Sequence, residues 1–130
     1  NFSGIAKYTL QFNRPSGNAT SYLLNLGKVN ETAAVILNGK TIATLIGPVF
    51  TTVIPATALQ SANKLEIEVA NLMANRIAYM DRNNRPWKIF YNTNMPARKA
   101  ENVKDGLFNA ANWKPFPSGL SGPVTLTPLK

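Results

Sequence analysis

A chain of 130 residues, 45% of them hydrophobic, is long enough to bury about two thirds of its unfolded surface in a single core. It contains neither His nor Cys, which excludes disulfides, thiolate nucleophiles, imidazole or thiolate metal ligands and the commonest general base. Fourteen Lys and Arg against six Asp and Glu give a net charge of +8 and a pI near 10.1, a balance that favours anionic partners or describes no more than a solvated basic surface.

The first seventy residues read as strands with short punctuation. Ile5, Lys7, Thr9 and Gln11 alternate with Ala6, Tyr8, Leu10 and Phe12, the period-two pattern of a strand with one buried face. Arg14-Pro-Ser-Gly-Asn18 breaks the run as a turn. A second strand is expected over Ser21 to Val29. Thr32 to Leu37 and Lys40 to Ile46 form a hairpin about Asn38-Gly39, because these two residue types tolerate the positive φ of a two-residue type I′ turn. Phe50 to Ile54 makes a further strand, and Ala56 to Gln60 a single helical turn. From Lys64 to Ala70, Leu65, Ile67 and Val69 lie on one face and Lys64, Glu66 and Glu68 on the other, as in a half-exposed antiparallel strand.

From Asn71 to Pro117 the texture changes to Asn, Arg, Pro and aromatics with no strong strand or helix signal, and the expectation is a long loop-rich insertion of the functional kind. Seven of the basic residues lie between Arg76 and Lys104, spaced apart and not in a polybasic run. The final Pro123 to Pro128 reads as a closing strand. Many short strands with Gly and Pro punctuation point to an all-β antiparallel sandwich.

Tyr22-Leu-Leu-Asn-Leu-Gly-Lys-Val-Asn-Glu-Thr-Ala-Ala-Val-Ile-Leu-Asn-Gly-Lys40, Gly47-Pro-Val-Phe50, Asn63 to Asn71, Ala74-Asn-Arg76 and Ser118 to Val124 occur in the order found in a known family. The set resembles the sugar-binding, galactose-binding-like jelly-roll domain of family 2-type and α-L-rhamnosidase-like glycoside hydrolases, over nearly the whole chain. The resemblance implies a carbohydrate-associated module, residues 1–130 as one domain excised from a larger enzyme, with export to the periplasm or the cell exterior. The start at Asn1 without an initiating Met agrees with a module. It also implies a catalytic domain as partner, and it does not imply catalysis in this chain.

In the resembled domains the stretch equivalent to Asn71 to Trp87 lies near the sugar-binding or catalytic face. Asn75 can donate and accept to vicinal hydroxyls, Arg76 or Arg82 can form a two-pronged bond to hydroxyls or a carboxylate, and Trp87 can offer an apolar face to a pyranose. With Asp81, these are the candidate carbohydrate contacts, for an acidic, rhamnose-containing or galactose-containing sugar. The competing reading has Asp81 pair with Arg82 or Arg85 to pin the loop while Trp87 fills the interior. Met73 stands where the family often has Trp, which weakens stacking there.

Glu66 and Glu68, two rises of ~3.4 Å apart on one strand face, have a spacing superficially suited to glycoside hydrolysis, which uses carboxylates about 5 to 9.5 Å apart. The same spacing arises on any solvent-facing strand, and no catalytic residue, metal site or cofactor is assigned. No apolar run approaches the ~20 residues of a membrane span. Trp87-Lys-Ile-Phe-Tyr-Asn92 and Phe108 to Phe116 interleave aromatics with base, which keeps single-stranded nucleic acid as a minor alternative. A purely structural module that packs on a catalytic domain is the other, and it predicts exposed apolar surface.

Overall fold

A computed structural model describes residues 2–89 and 99–129. In chain order the elements are β1 (Ile5–Asn13), β2 (Ser21–Asn25), β3 (Lys28–Asn30), β4 (Thr32–Leu37), β5 (Lys40–Ile46), β6 (Thr51–Pro55), β7 (Ala62–Ala70), helix α1 (Ala74–Arg82), β8 (Val103–Lys104), β9 (Leu107–Phe108), β10 (Gly119–Gly122) and β11 (Thr125–Leu129). They fall into two compact units, one of residues 5–71 and 118–130 and one of residues 1–4 and 72–117.

The larger unit is an antiparallel sandwich. One sheet has the order β1-β7-β4-β5 and the other β11-β2-β6, with a short β10-β3 pair beside them. Period two explains the layering. Leu65, Ile67 and Val69 of β7 and Ala33, Val35 and Leu37 of β4 are buried, and they meet Tyr22 and Leu24 of β2 and Ile54 of β6 in one apolar cluster. Each buried Leu, Ile or Val among them contributes about 1.5–3 kcal/mol on full burial, so sheet-to-sheet packing dominates the stability of this unit.

The hairpin forms as expected. Asn38 and Gly39 have φ of 52° and 81°, and Leu37 pairs with Lys40 across the turn. Its amide group fastens the turn to the next strand: the Lys64 N–H donates to Asn38 Oδ1 at 2.9 Å, and Asn38 Nδ2 donates to Asn63 Oδ1 at 3.0 Å. Asn63 is itself buried, and it also accepts from the Gln60 N–H and donates to the Gln60 carbonyl. Its polar atoms are therefore satisfied within the turn that precedes β7.

The β8-β9 hairpin falls within the expected loop-rich stretch, and three further elements differ from the sequence reading. The expected strand over Ser21 to Val29 is two strands, β2 and β3, parted at Leu26-Gly27. Gly27 has φ of 64°, and a Cβ there would lie 2.5 Å from the Gly122 carbonyl carbon. Only glycine allows the chain to turn against that backbone. Strand β1 does alternate, but its apolar face is thinly covered: Leu10 is 56% exposed, because β1 is the edge strand of its sheet and chiefly Phe12 packs on the core. The third difference is helix α1, where no helix signal had stood out in the sequence.

Two glycine substitutions separate backbone strain from steric clash. Gly39→Val places a β-branched residue at positive φ in open space and is expected to lower stability by about 1–3 kcal/mol. Gly27→Ala adds a methyl against fixed backbone and is expected to lower it further. Urea midpoints of the two variants check the order.

Candidate functional site

The smaller unit is built around helix α1. Ala74, Ile77, Ala78 and Asp81 recur at helical spacing, and Ala78 packs in a second cluster with Phe108 and Ala110, flanked by Ile77, Trp87 and Trp113. This face is small and carries an acid at its end, which is why it is a weak amphipathic signal in sequence. The helix stops in a Schellman arrangement. Asn84 is left-handed at φ 50°; the Asn84 N–H donates to the Asp81 carbonyl at 3.3 Å and the Arg85 N–H to the Met80 carbonyl at 2.8 Å.

Asp81 organises the unit. Its carboxylate is buried. Oδ1 accepts from the Trp87 indole N–H at 2.7 Å, with Lys88 Nζ at 3.2 Å, and Oδ2 accepts from the Ala110 N–H at 2.7 Å. One acid thus joins the end of α1, the turn that follows it and the segment after β9. Aromatic edges continue the packing: Trp87 to Phe108 at 6.2 Å, Phe108 to Trp113 at 5.7 Å and Trp113 to Phe116 at 5.9 Å between centroids. Asn102 Oδ1 accepts from the Trp113 indole N–H at 2.8 Å.

The other candidate residues are also held within this unit. Asn75 donates through Nδ2 to the Phe116 carbonyl and accepts through Oδ1 from the Phe116 N–H, each at 2.8 Å. Arg82 donates through Nε to the Ala111 carbonyl at 2.6 Å and through Nη2 to the Trp113 carbonyl. Arg76 projects from the exposed side, its guanidinium 5.6 Å from the Tyr79 ring centroid. The expected loop from Asn75 to Trp87 is therefore helical as far as Arg82. Asp81 does pin this region, as the competing reading has it, but its cationic partner is Lys88, not Arg82 or Arg85.

Asp81 and Trp87 line an open cleft of about 380 Å³, within the ~300–1,000 Å³ range of small-ligand sites. Asn75, Arg76 and Arg82 are not among its walls. One side is the Schellman turn, with Asn84, Arg85 and Lys88; the other is the tip of the β8-β9 hairpin, with Lys104 and Asp105, followed by Asn109. That hairpin turns on Asp105 at φ 53° and Gly106 at φ 77°, with Lys104 paired to Leu107. Of these, Lys104 and Asp105 carry no site role in the sequence reading. The Asp-Gly dipeptide between Val103 and Leu107 is the signal that marks the hairpin. The part of the second aromatic set from Phe90 to Asn92 lies outside the described residues.

Glu66 and Glu68 are not placed as a catalytic pair. They stand on the outward face of β7 beside lysines: Lys7 Nζ lies 2.8 Å from Glu68 and 3.6 Å from Glu66, and Lys64 Nζ 3.1 Å from Glu66. The hydrogen bond from Lys64 holds the Glu66 carboxyl below its ordinary range, and the bond to Glu68 raises the Lys7 ammonium above its usual 10.5. A general acid needs the opposite shift. Among the described residues no three acidic side chains gather as metal ligands, and no helix is long and apolar enough to cross a membrane.

With respect to known proteins, no family model matches the chain and no curated protein matches it significantly. Among solved structures it is similar to a rhamnosidase from Novosphingobium sp. PP1Y, with a TM-score of 0.66 and 30% identity over 96% of this chain and 11% of that one. A β-glucuronidase from Ruminococcus gnavus shows a partial likeness, with a TM-score of 0.45 and 20% identity over 54% of this chain and 13% of that one, too weak to bear on function. The chain thus spans about a tenth of the rhamnosidase it matches. That likeness agrees with the all-β sandwich and fits an accessory domain of a glycoside hydrolase.

Two measurements probe these arrangements. Asp81→Ala strands the Trp87 indole N–H and the buried Ala110 N–H, and is expected to cost about 2–5 kcal/mol; hydrogen exchange at Ala110 and Trp fluorescence report it. The Glu66 contribution is present above the ordinary glutamate range and lost as pH falls through its depressed value, whereas the Lys7 contribution is present below 10.5 and lost as pH rises through its raised value. The stability gap between the wild type and Lys7→Met should therefore be widest between these limits and narrow at both extremes, in urea melts across pH.

Proposed function

We propose that this chain is a non-catalytic accessory domain of a larger, exported glycoside hydrolase, and that it contacts carbohydrate through the cleft between the end of α1 and the β8-β9 hairpin. The observation that carries the reading is the likeness to about a tenth of a rhamnosidase over 96% of this chain. The cleft supports it with chemistry suited to a polyhydroxylated ligand: the amides of Asn84 and Asn109, the Asp105 carboxylate, and the half-buried Trp87. Of its two carboxylates, Asp81 has both oxygens engaged by Trp87, Ala110 and Lys88.

A structural role in packing on a catalytic domain is the second reading, favoured by an apolar groove of the larger unit lined by Leu10, Phe12, Pro15, Val124 and Leu126.

Titration with rhamnose-containing oligosaccharides, followed by amide and indole chemical shifts, separates the two. Binding in the millimolar range is expected to move Asn84, Lys88, Asn109 and the Trp87 indole. Shifts confined to other surfaces, or none at saturating sugar, would leave the packing role alone. No turnover of aryl rhamnosides is expected; turnover abolished by Asp81→Asn or Asp105→Asn would refute the non-catalytic assignment.

A further inference from the structure

The cleft is unevenly charged. Three cations line it, Arg85, Lys88 and Lys104, with two acids, Asp81 and Asp105. Lys88 and Asp81 neutralise each other at 3.2 Å, and Lys88 Nζ also lies 5.4 Å from the Trp87 ring centroid. Arg85 and Lys104 have no ion-pair partner among the described residues, and both are exposed.

Their positions are fixed by backbone geometry. Arg85 follows left-handed Asn84 in the Schellman turn, and its own N–H is bonded to Met80. Lys104 immediately precedes the Asp105-Gly106 turn and is in register with Leu107. Two short, closed turns therefore present one cation from each side of the opening, which reduces the ordering cost of binding an anion between them.

Building on the carbohydrate reading above, we propose that the ligand is an acidic saccharide, a uronic-acid sugar whose carboxylate is received by Arg85 and Lys104. The guanidinium offers a two-pronged bond to a carboxylate, and Lys104 adds a point charge. Asp105 and the amides of Asn84 and Asn109 then take sugar hydroxyls, donors that a carboxylate alone does not supply. A phosphate ester would satisfy the cations but bring about twice the negative charge up to Asp105, so a sugar with one carboxylate and several hydroxyl groups fits this lining better.

The test compares a trisaccharide of galacturonic acid with its methyl ester, which keeps the hydroxyls and removes the charge. By calorimetry and amide shifts, the acid is expected to bind the cleft about tenfold more tightly than the ester at low salt, and the difference should shrink as salt rises. Arg85→Ala and Lys104→Ala are each expected to bring the acid towards the affinity of the ester while weakening the ester much less; an unaltered amide spectrum elsewhere verifies that the fold is intact. Equal binding of acid and ester at the cleft would overturn the acidic preference and leave the carbohydrate reading standing. Binding of a neutral rhamnose oligosaccharide there, without either galacturonate, has the same meaning. Absence of any saccharide from the cleft would overturn both. Tighter binding of single-stranded DNA at Arg85 and Lys104 near physiological salt would replace both with a nucleic-acid site.

Discussion

The sandwich depends on the register of β7. This strand lies between β1 and β4, so one set of alternating side chains serves the core while the other meets solvent on the same sheet. A slip of one residue against either neighbour would exchange Leu65, Ile67 and Val69 for Lys64, Glu66 and Glu68. Burying those charges is far more costly than losing a few hydrogen bonds. The lysine-glutamate ladder on the outer face reinforces this choice: Lys7 sits directly across from Glu68, and Glu66 meets both Lys7 and Lys64.

A different kind of constraint shapes the smaller unit. Its apolar content is modest, and a single buried carboxylate ties together three backbone segments that lack extended strand pairing. Asp81 turns its oxygens inward to an indole, a main-chain amide and an ammonium group, and the edge-on aromatic packing of Trp87 and Phe108 forms beside it. Buried acids of this type are destabilising when unpaired, so the full set of partners is a condition of the unit having one structure. The cleft inherits that order, because its walls are the turn after α1 and the hairpin before Asn109.

Internal support and outward-facing charge are divided between neighbouring residues. Asn75, Asp81 and Arg82 are the polar side chains that attract attention in the sequence, and each meets backbone or buried groups of its own unit. Arg85 and Lys104 sit farther out, on short closed turns, with no ion-pair partner among the described residues. A site that holds a soluble ligand needs groups of the second kind, placed by groups of the first.

The sequence by itself determined the all-β character, the Asn38-Gly39 hairpin and the inward faces of β4 and β7, because period-two alternation and a positive-φ dipeptide are local properties that packing then confirms. The concentration of base and aromatics after Asn71 is also a property of the sequence. The sequence did not determine helix α1, whose buried face is mostly alanine and one acid and so carries little hydrophobic contrast, nor the break at Gly27, which exists because the Gly122 backbone approaches there from ninety-five residues away. Which polar residues are structural and which face the cleft was decided only by tertiary structure: Asp81 and Arg85 are four positions apart and chemically suited to either role, and they are distinguished by contacts with Ala110 and Trp87 that no local pattern encodes.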